Sequence, residues 1–168
     1  HRQRRLLGPS AQAASAPAGF GATLDQLGAE SEGLIGYMIE RELAPILGGK
    51  PVATLLTMVE VDPRDPAFLE PVKPVGLAVS EAEAKRLGAD HGWRFAPVPG
   101  GFRRVVASPR PTRIIEIETI RLLVEHGVVV ICAGGGGIPV VVGPDGAIRG
   151  IEAVIDKDRA AALLAAEL

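Results

Sequence analysis

Val128-Val129-Val130-Ile131-Cys132-Ala133-Gly134-Gly135-Gly136-Gly137-Ile138-Pro139 is a run of mostly β-branched residues that ends in four consecutive glycines. The apolar run predicts a strand buried on both faces, as in a parallel sheet. The glycines place bare backbone at its C-terminal end, where open α/β sheets bind their ligands. Without a Cβ, Gly134, Gly135, Gly136 and Gly137 can reach positive φ and bring backbone N–H groups close to an anion. The competing reading is a tight turn with close strand-to-loop packing. Two known glycine fingerprints are excluded. A P-loop needs Lys-Ser/Thr after its last glycine, and here Ile138-Pro139 follows. A dinucleotide fingerprint starting at Gly134 needs a small residue where Pro139 stands.

Further on comes Val154-Ile155-Asp156-Lys157-Asp158, followed by an alanine- and leucine-rich helix. Capping and the helix dipole explain an aspartate at a helix start. They do not explain Lys157, whose charge is disfavoured at a positive helix end. Phosphoryl transfer needs a compact positive charge on the transferring oxygens, and a lysine supplies one. Lys73 lies in Glu70-Pro71-Val72-Lys73-Pro74-Val75-Gly76, where prolines stiffen the backbone; on its own it reads as a solvated loop lysine. Arg103 and Arg104 point to opposite faces of a strand and read as surface residues. His126, before Gly127, suits a helix C-terminus. Cys132 reads as a small core residue.

The bulk numbers bound the class. The 168 residues could form one domain. They are 47% hydrophobic but only 4% aromatic, so the core is aliphatic, as expected for strands under helices. A net charge of −2 gives no global attraction to nucleic acid. The single cysteine fits a reducing, cytoplasmic setting, the three histidines have no metal-ligand spacing, and no apolar run is long enough to span a bilayer.

The chain begins with His rather than Met, which leads us to expect a fragment, a processed form or a trimmed end. Residues 1–23 are rich in Ala, Gly, Pro and Ser and are expected to be poorly ordered. Their arginines and lack of acids also resemble an organellar transit peptide, and we favour the simpler disordered end. Leu24 to Leu47 predicts a helix, stopped by Gly48-Gly49, and Val52 to Val61 a single strand. Asp62 to Pro111 holds eight prolines and predicts a protruding lid subdomain. Within it, Ser80 to Leu87 predicts a short helix with a capping box from Ser80 and Glu83, and Phe102 to Val106 a strand. Thr112 to His126 predicts a helix, Val140–Val142 with Ala147–Val154 a hairpin around Pro144-Asp145-Gly146, and Asp158 to Leu168 the last helix. The fold class expected is α/β: a three-layer αβα sandwich with a mostly parallel sheet, incomplete, plus the lid.

These segments together resemble carbamate kinases, members of the amino-acid kinase superfold. The resemblance runs over five stretches: Leu24 to Tyr37; Val61-Asp62-Pro63-Arg64-Asp65-Pro66-Ala67-Phe68 with Pro71 to Gly76; Arg103 to Pro111; the glycine loop with Ile138-Pro139-Val140-Val141; and Gly150-Ile151-Glu152-Ala153-Val154-Ile155-Asp156-Lys157-Asp158. It implies reversible phosphoryl transfer, ATP and carbamate giving ADP and carbamoyl phosphate, in arginine catabolism. It also implies ATP/ADP with Mg2+, a cytoplasmic homodimer, and no nucleic-acid or membrane partner. By resemblance, Lys157 and Lys73 contact the transferring phosphoryl group, Asp158 orients lysines, and Gly134 to Gly137 line the substrate pocket; no residue is assigned to a metal. The family's two early loops, Gly-Gly-Asn and His-Gly-Asn-Gly-Pro-Gln, have no match here, nor does its C-terminal nucleotide-binding half. The stretch Phe95 to Phe102 also departs from the family's pattern. The chain is therefore expected to be the middle portion of such a kinase, inactive alone; the alternatives are a catalytically inactive remnant or another amino-acid kinase family member.

Overall fold

The computed structural model describes residues 22–168. The expectations for the N-terminal segment lie outside the described residues, apart from its last two positions.

The first helix, α1 (Leu24–Leu43), starts at Thr23, whose backbone N–H donates to the Gln26 side-chain Oε1 at 3.3 Å, the return half of a capping box. It ends four residues earlier than the sequence pattern implies, and turns lead to Gly48 and Gly49, both at positive φ. Its buried positions are Leu24, Leu27, Glu32 and Gly36, while Leu34, Met38 and Ile39 are exposed. The buried face is therefore not simply the apolar stripe. At Gly36 a Cβ would stand 2.1 Å from Thr54 Cγ2, so glycine lets the helix lie directly on the first strand.

The strand expected over Val52–Val61 is two strands, β1 (Val52–Thr54) and β2 (Met58–Val61). The ladder breaks because two consecutive N–H groups go to carboxylates: Thr57 donates to Glu32 Oε2 at 3.0 Å and Met58 to Glu116 Oε2 at 2.7 Å. After a 3-10 turn at Pro66–Phe68 come β3 (Lys73–Val79), α2 (Glu81–His91), β4 (Arg94–Val98) and β5 (Gly101–Val106). Ser80 caps α2 by accepting from Glu83 N at 3.2 Å. The expected reciprocal half of that box is replaced, because the Glu83 carboxylate takes Arg86.

The expected helix over Thr112–His126 is corrected at its start. Pro111–Ile114 is a strand, β6, and the helix α3 runs only over Ile117–Glu125. Ile114 and Ile117 keep a helical spacing, yet Ile114 pairs with Val59 and Arg113 with Glu60 across an antiparallel ladder. The pairing of a β-branched segment to β2 overrides the local period. Then follow β7 (Val129–Ile131), β8 (Ile138–Val142), β9 (Ile148–Gly150) and α4 (Lys157–Glu167). The β8–β9 hairpin is as expected.

The sheets are mixed, which corrects the expectation of a mostly parallel sheet. The parallel pairs are β1 with β7 and β2 with β8. The four-stranded order β6-β2-β8-β9 adds antiparallel strands at both edges, and β3-β5-β4 is antiparallel throughout. β7 is parallel, as expected, but half-buried rather than buried on both faces. Its one neighbour among the described residues is β1.

One core joins Val59, Val61 and Ile114 to Ile120 of α3, Ile155, and Ala160 of α4. Each fully buried Val or Ile contributes about 1.5–3 kcal/mol. A second joins Leu24 and Leu27 of α1 to Val75 and Val106 of the three-stranded sheet. Between these two cores lies the cleft described next.

Candidate functional site

The glycine loop leaves β7 through Ala133, which sits at φ +52, and forms a 3-10 turn over Gly134–Gly136. It is stitched to the strand break at Thr57. Ala133 N donates to Thr57 Oγ1 at 2.9 Å, Gly134 N to Glu32 Oε1 at 3.0 Å, and Ile138 N to Thr57 O at 2.8 Å. Gly136 N and Gly137 N donate back into the loop, to Ala133 O and Gly134 O. Most of the glycine N–H groups are thus already used. No hydrogen bond within the described residues engages the Gly135 N–H.

Glycine is required here partly for packing. A Cβ at Gly136 would stand 2.3 Å from Ile155 O, and one at Gly137 2.4 Å from Val59 Cγ2. Gly135 faces open space instead. Gly134, Gly135 and Gly137 line a cleft of about 270 Å³, together with Ser31 of α1, Pro74 and Val75 of β3, and Arg103 of β5. Gly136 is buried behind it. The volume lies just below the usual range for ligand pockets.

At the edge of this cleft the structure joins two parts of the chain that the sequence keeps far apart. Lys73 opens β3, and its Nζ is 2.9 Å from Asp156 Oδ2. Asp156 is the N-cap of α4, its other oxygen accepting from Asp158 N and Arg159 N. The Lys73 ammonium, then the Asp158 N–H, hold the Asp156 carboxyl down at about 2. Lys157 is the first residue of α4, largely exposed, with Nζ 2.7 Å from Asp158 Oδ1. The hydrogen bond to Asp158 raises the Lys157 pKa. Each lysine therefore has its own aspartate; Asp156 is the partner that the sequence reading did not single out. Neither lysine lines the cleft itself, but Pro74, next to Lys73, and Ile155, next to Asp156, do.

The two arginines separate as alternation demands, but neither is a simple surface residue. Arg104 is buried, lies 4.0 Å over the Trp93 ring and donates to Glu152 Oε2 at 3.0 Å. The other Glu152 oxygen accepts from Leu24 N at 2.8 Å, which ties the three-stranded sheet to the start of α1. Arg103 faces the cleft, and its Nε is buried with no hydrogen-bond partner among the described residues. Cys132 is half-buried, with its thiol pKa raised by burial and then by Glu32, which disfavours the reactive thiolate. His126 Nδ1 lies 2.7 Å from Leu122 O at the end of α3. The sequence reading missed Glu32 and Glu116, because their backbone partners lie far away in the chain.

Residues 19–168 match the amino acid kinase family model. This chain belongs to the amino acid kinase family. It is 51% identical over 146 residues to the carbamate kinase of Haemophilus influenzae, covering 86% of this chain and 47% of that relative. It is 52% identical over 148 residues to the carbamate kinase of Rhizobium meliloti, covering 86% and 46%. Among solved structures, a carbamate kinase from Giardia lamblia bound to AMP-PNP superimposes with a TM-score of 0.79 at 40% identity, covering 95% of this chain and 51% of that one. This amino acid kinase family member thus spans about half the length of the relatives it matches. Its α/β architecture with mixed sheets is that of the family. Among the described residues no helix is long and apolar enough to cross a membrane.

Proposed function

We propose that the protein carrying this chain is a carbamate kinase, transferring a phosphoryl group between ATP and carbamate. The observation that carries this reading is the cleft itself. A small glycine-walled pocket is lined by Arg103, whose Nε is buried without a hydrogen-bond partner among the described residues, and the Lys73–Asp156 pair lies next to lining residues Pro74 and Ile155. The identity of about 50% to carbamate kinases supports the choice of acid.

In the ATP-forming direction, a terminal oxygen of ADP attacks the phosphorus of carbamoyl phosphate. The bond from phosphorus to the carbamoyl oxygen breaks, and carbamate leaves. Positioning and charge neutralisation do most of the work in such a transfer. Gly134, Gly135 and Gly137 wall the phosphate position, with the Gly135 N–H as donor. Lys73 and Lys157 neutralise the oxygens of the transferring group, held in place by Asp156 and Asp158. Mg2+ would enter with the nucleotide substrate and neutralise its phosphate oxygens. The antiparallel sheet β3-β5-β4, which supplies Pro74, Val75 and Arg103 to the cleft lining, acts as its lid. The working form is a cytoplasmic homodimer serving arginine breakdown.

The test is ATP formation by the full-length gene product from carbamoyl phosphate and ADP, read by a luciferase-coupled assay. ATP formation supports the reading. Phosphorylation of a different acid instead, such as aspartate or acetylglutamate, rejects carbamate and leaves the family assignment intact.

A further inference from the structure

Glu32 is the residue whose chemistry the reaction above does not use. It sits on α1 with only 2% of its surface exposed. None of the ion pairs among the described residues includes it. The titratable groups that face it are the Glu116 carboxylate, from the start of α3, and the Cys132 thiol, from the end of β7. Neither is a cation. A buried carboxylate without a cation is costly unless its oxygens are hydrogen-bonded. Here each oxygen takes one backbone N–H, Gly134 on Oε1 and Thr57 on Oε2, both at 3.0 Å.

Those two N–H groups belong to the two segments that build the loop wall. Thr57 in turn holds Ala133 through its hydroxyl and Ile138 through its carbonyl. The glycine loop is therefore fixed from Ala133 to Ile138 by one carboxylate and one threonine. Glycine has no preferred conformation to hold such a loop by itself. Fixing Gly134 leaves the next N–H, that of Gly135, without a partner and beside the cleft.

We propose that Glu32 is a positioning residue for phosphoryl transfer: its ionised carboxylate clamps Gly134 to Thr57 and thereby presents the Gly135 N–H to the phosphoryl group. The proposal rests on the kinase reading above. The clamp needs two acceptors, because it faces two donors. A carboxylate provides them. A carboxamide or a protonated carboxyl turns one oxygen into a donor and sets it against an N–H. Burial pushes the Glu32 carboxyl above its ordinary value, while the Thr57 and Gly134 N–H groups pull it back. Protonation would release one side of the clamp, and at a higher pH than for a solvated glutamate.

Two readouts on the full-length gene product test this. The first is an amide NMR titration of the wild type. The Gly134 and Thr57 amides should shift together with one midpoint above the usual glutamate range, and Glu32→Gln should abolish that shift. The second is turnover. Glu32→Gln should lower kcat roughly 10-fold or more, as misplacement of a loop does, with the KM for ADP within about twofold. It should also remove the acid limb of the kcat profile that this midpoint produces. Unchanged turnover in Glu32→Gln, or amides that titrate independently, overturns the proposal. If Glu32→Gln does not fold, the wild-type titration decides alone. A wild type that forms no ATP rejects the kinase reading, while the amide titration still decides the clamp.

Discussion

Lys73 and Asp156, 83 positions apart in the chain, meet at 2.9 Å, the first residue of a strand against the N-cap of a helix. This contact brings the proline-flanked lysine and the Ile-Asp-Lys-Asp motif to one place. Its electrostatic signature is direct. The Asp156 carboxyl, held at about 2, should titrate well below an ordinary aspartate in carboxyl-carbon NMR. Lys73→Ala removes the largest cause and should raise that midpoint towards the ordinary value. Because the folded-state value is depressed, the contribution to stability is present above the unfolded value of 3.8 and is lost as pH falls towards 2. Lys73→Ala should therefore flatten acid unfolding in that window.

Lys157 should matter to rate more than to binding. Its ammonium is exposed and oriented by Asp158. Lys157→Ala in the full-length kinase should lower kcat by roughly 10²-fold or more, in line with removal of one electrostatic donor. The KM for ADP should change far less. Lys157→Arg should restore activity only in part, since a planar fork replaces a compact charge. Wild-type turnover in the alanine variant would return Lys157 to helix capping.

Neighbouring glycines should differ in their tolerance. Gly135→Ala meets open space and bears only the cost of positive φ, about 1–2 kcal/mol. Gly136→Ala adds a Cβ 2.3 Å from Ile155 O, at φ +120, and should destabilise by more than about 3 kcal/mol. Urea unfolding of the two variants side by side measures the difference. Equal midpoints would mean that the loop is not packed against Ile155.

Trp93 is the one tryptophan in the sequence, so its emission reports a single place. That place is the stack on Arg104, with His91 on the ring 4.6 Å away. Arg104→Met should keep much of the apolar stem but lose both the stack and the Glu152 contact. We expect a changed Trp93 emission maximum and a loss of about 1–3 kcal/mol. Arg104→Lys should not rescue the emission, because an ammonium does not stack as a planar guanidinium does.

What the sequence made legible were the features carried by local chemistry. The Val140–Gly150 hairpin, the Ser80 cap and the helix after Asp156 each rest on residues a few positions apart. The strand break at Leu55–Thr57 was not legible, because its causes, Glu32 and Glu116, lie 25 and 58 residues from the N–H groups they hold. Pro111–Ile114 was misread for a related reason: its isoleucine spacing suits a helix, and only its distant partner β2 makes it a strand. At the cleft, glycines and lysines were visible as types. Which lysine meets which aspartate, and which arginine keeps an unpartnered nitrogen, depends on contacts between segments.

The position of β6 also bears on how this chain can emerge from the ribosome. The partner of Met58 in the parallel ladder, Ile138, is synthesised roughly eighty residues later, a wait of about 4–16 s at ordinary elongation rates. During that wait β3, β4 and β5 can pair among themselves. The next strand to appear is β6, which takes one edge of β2 before β8 exists to take the other. A helix at Pro111–Ile114 would leave β2 with both edges open until β8 arrived, the condition under which nascent chains aggregate. Chain order thus makes β6 available to cover one edge of an unfinished sheet before the other edge has its partner.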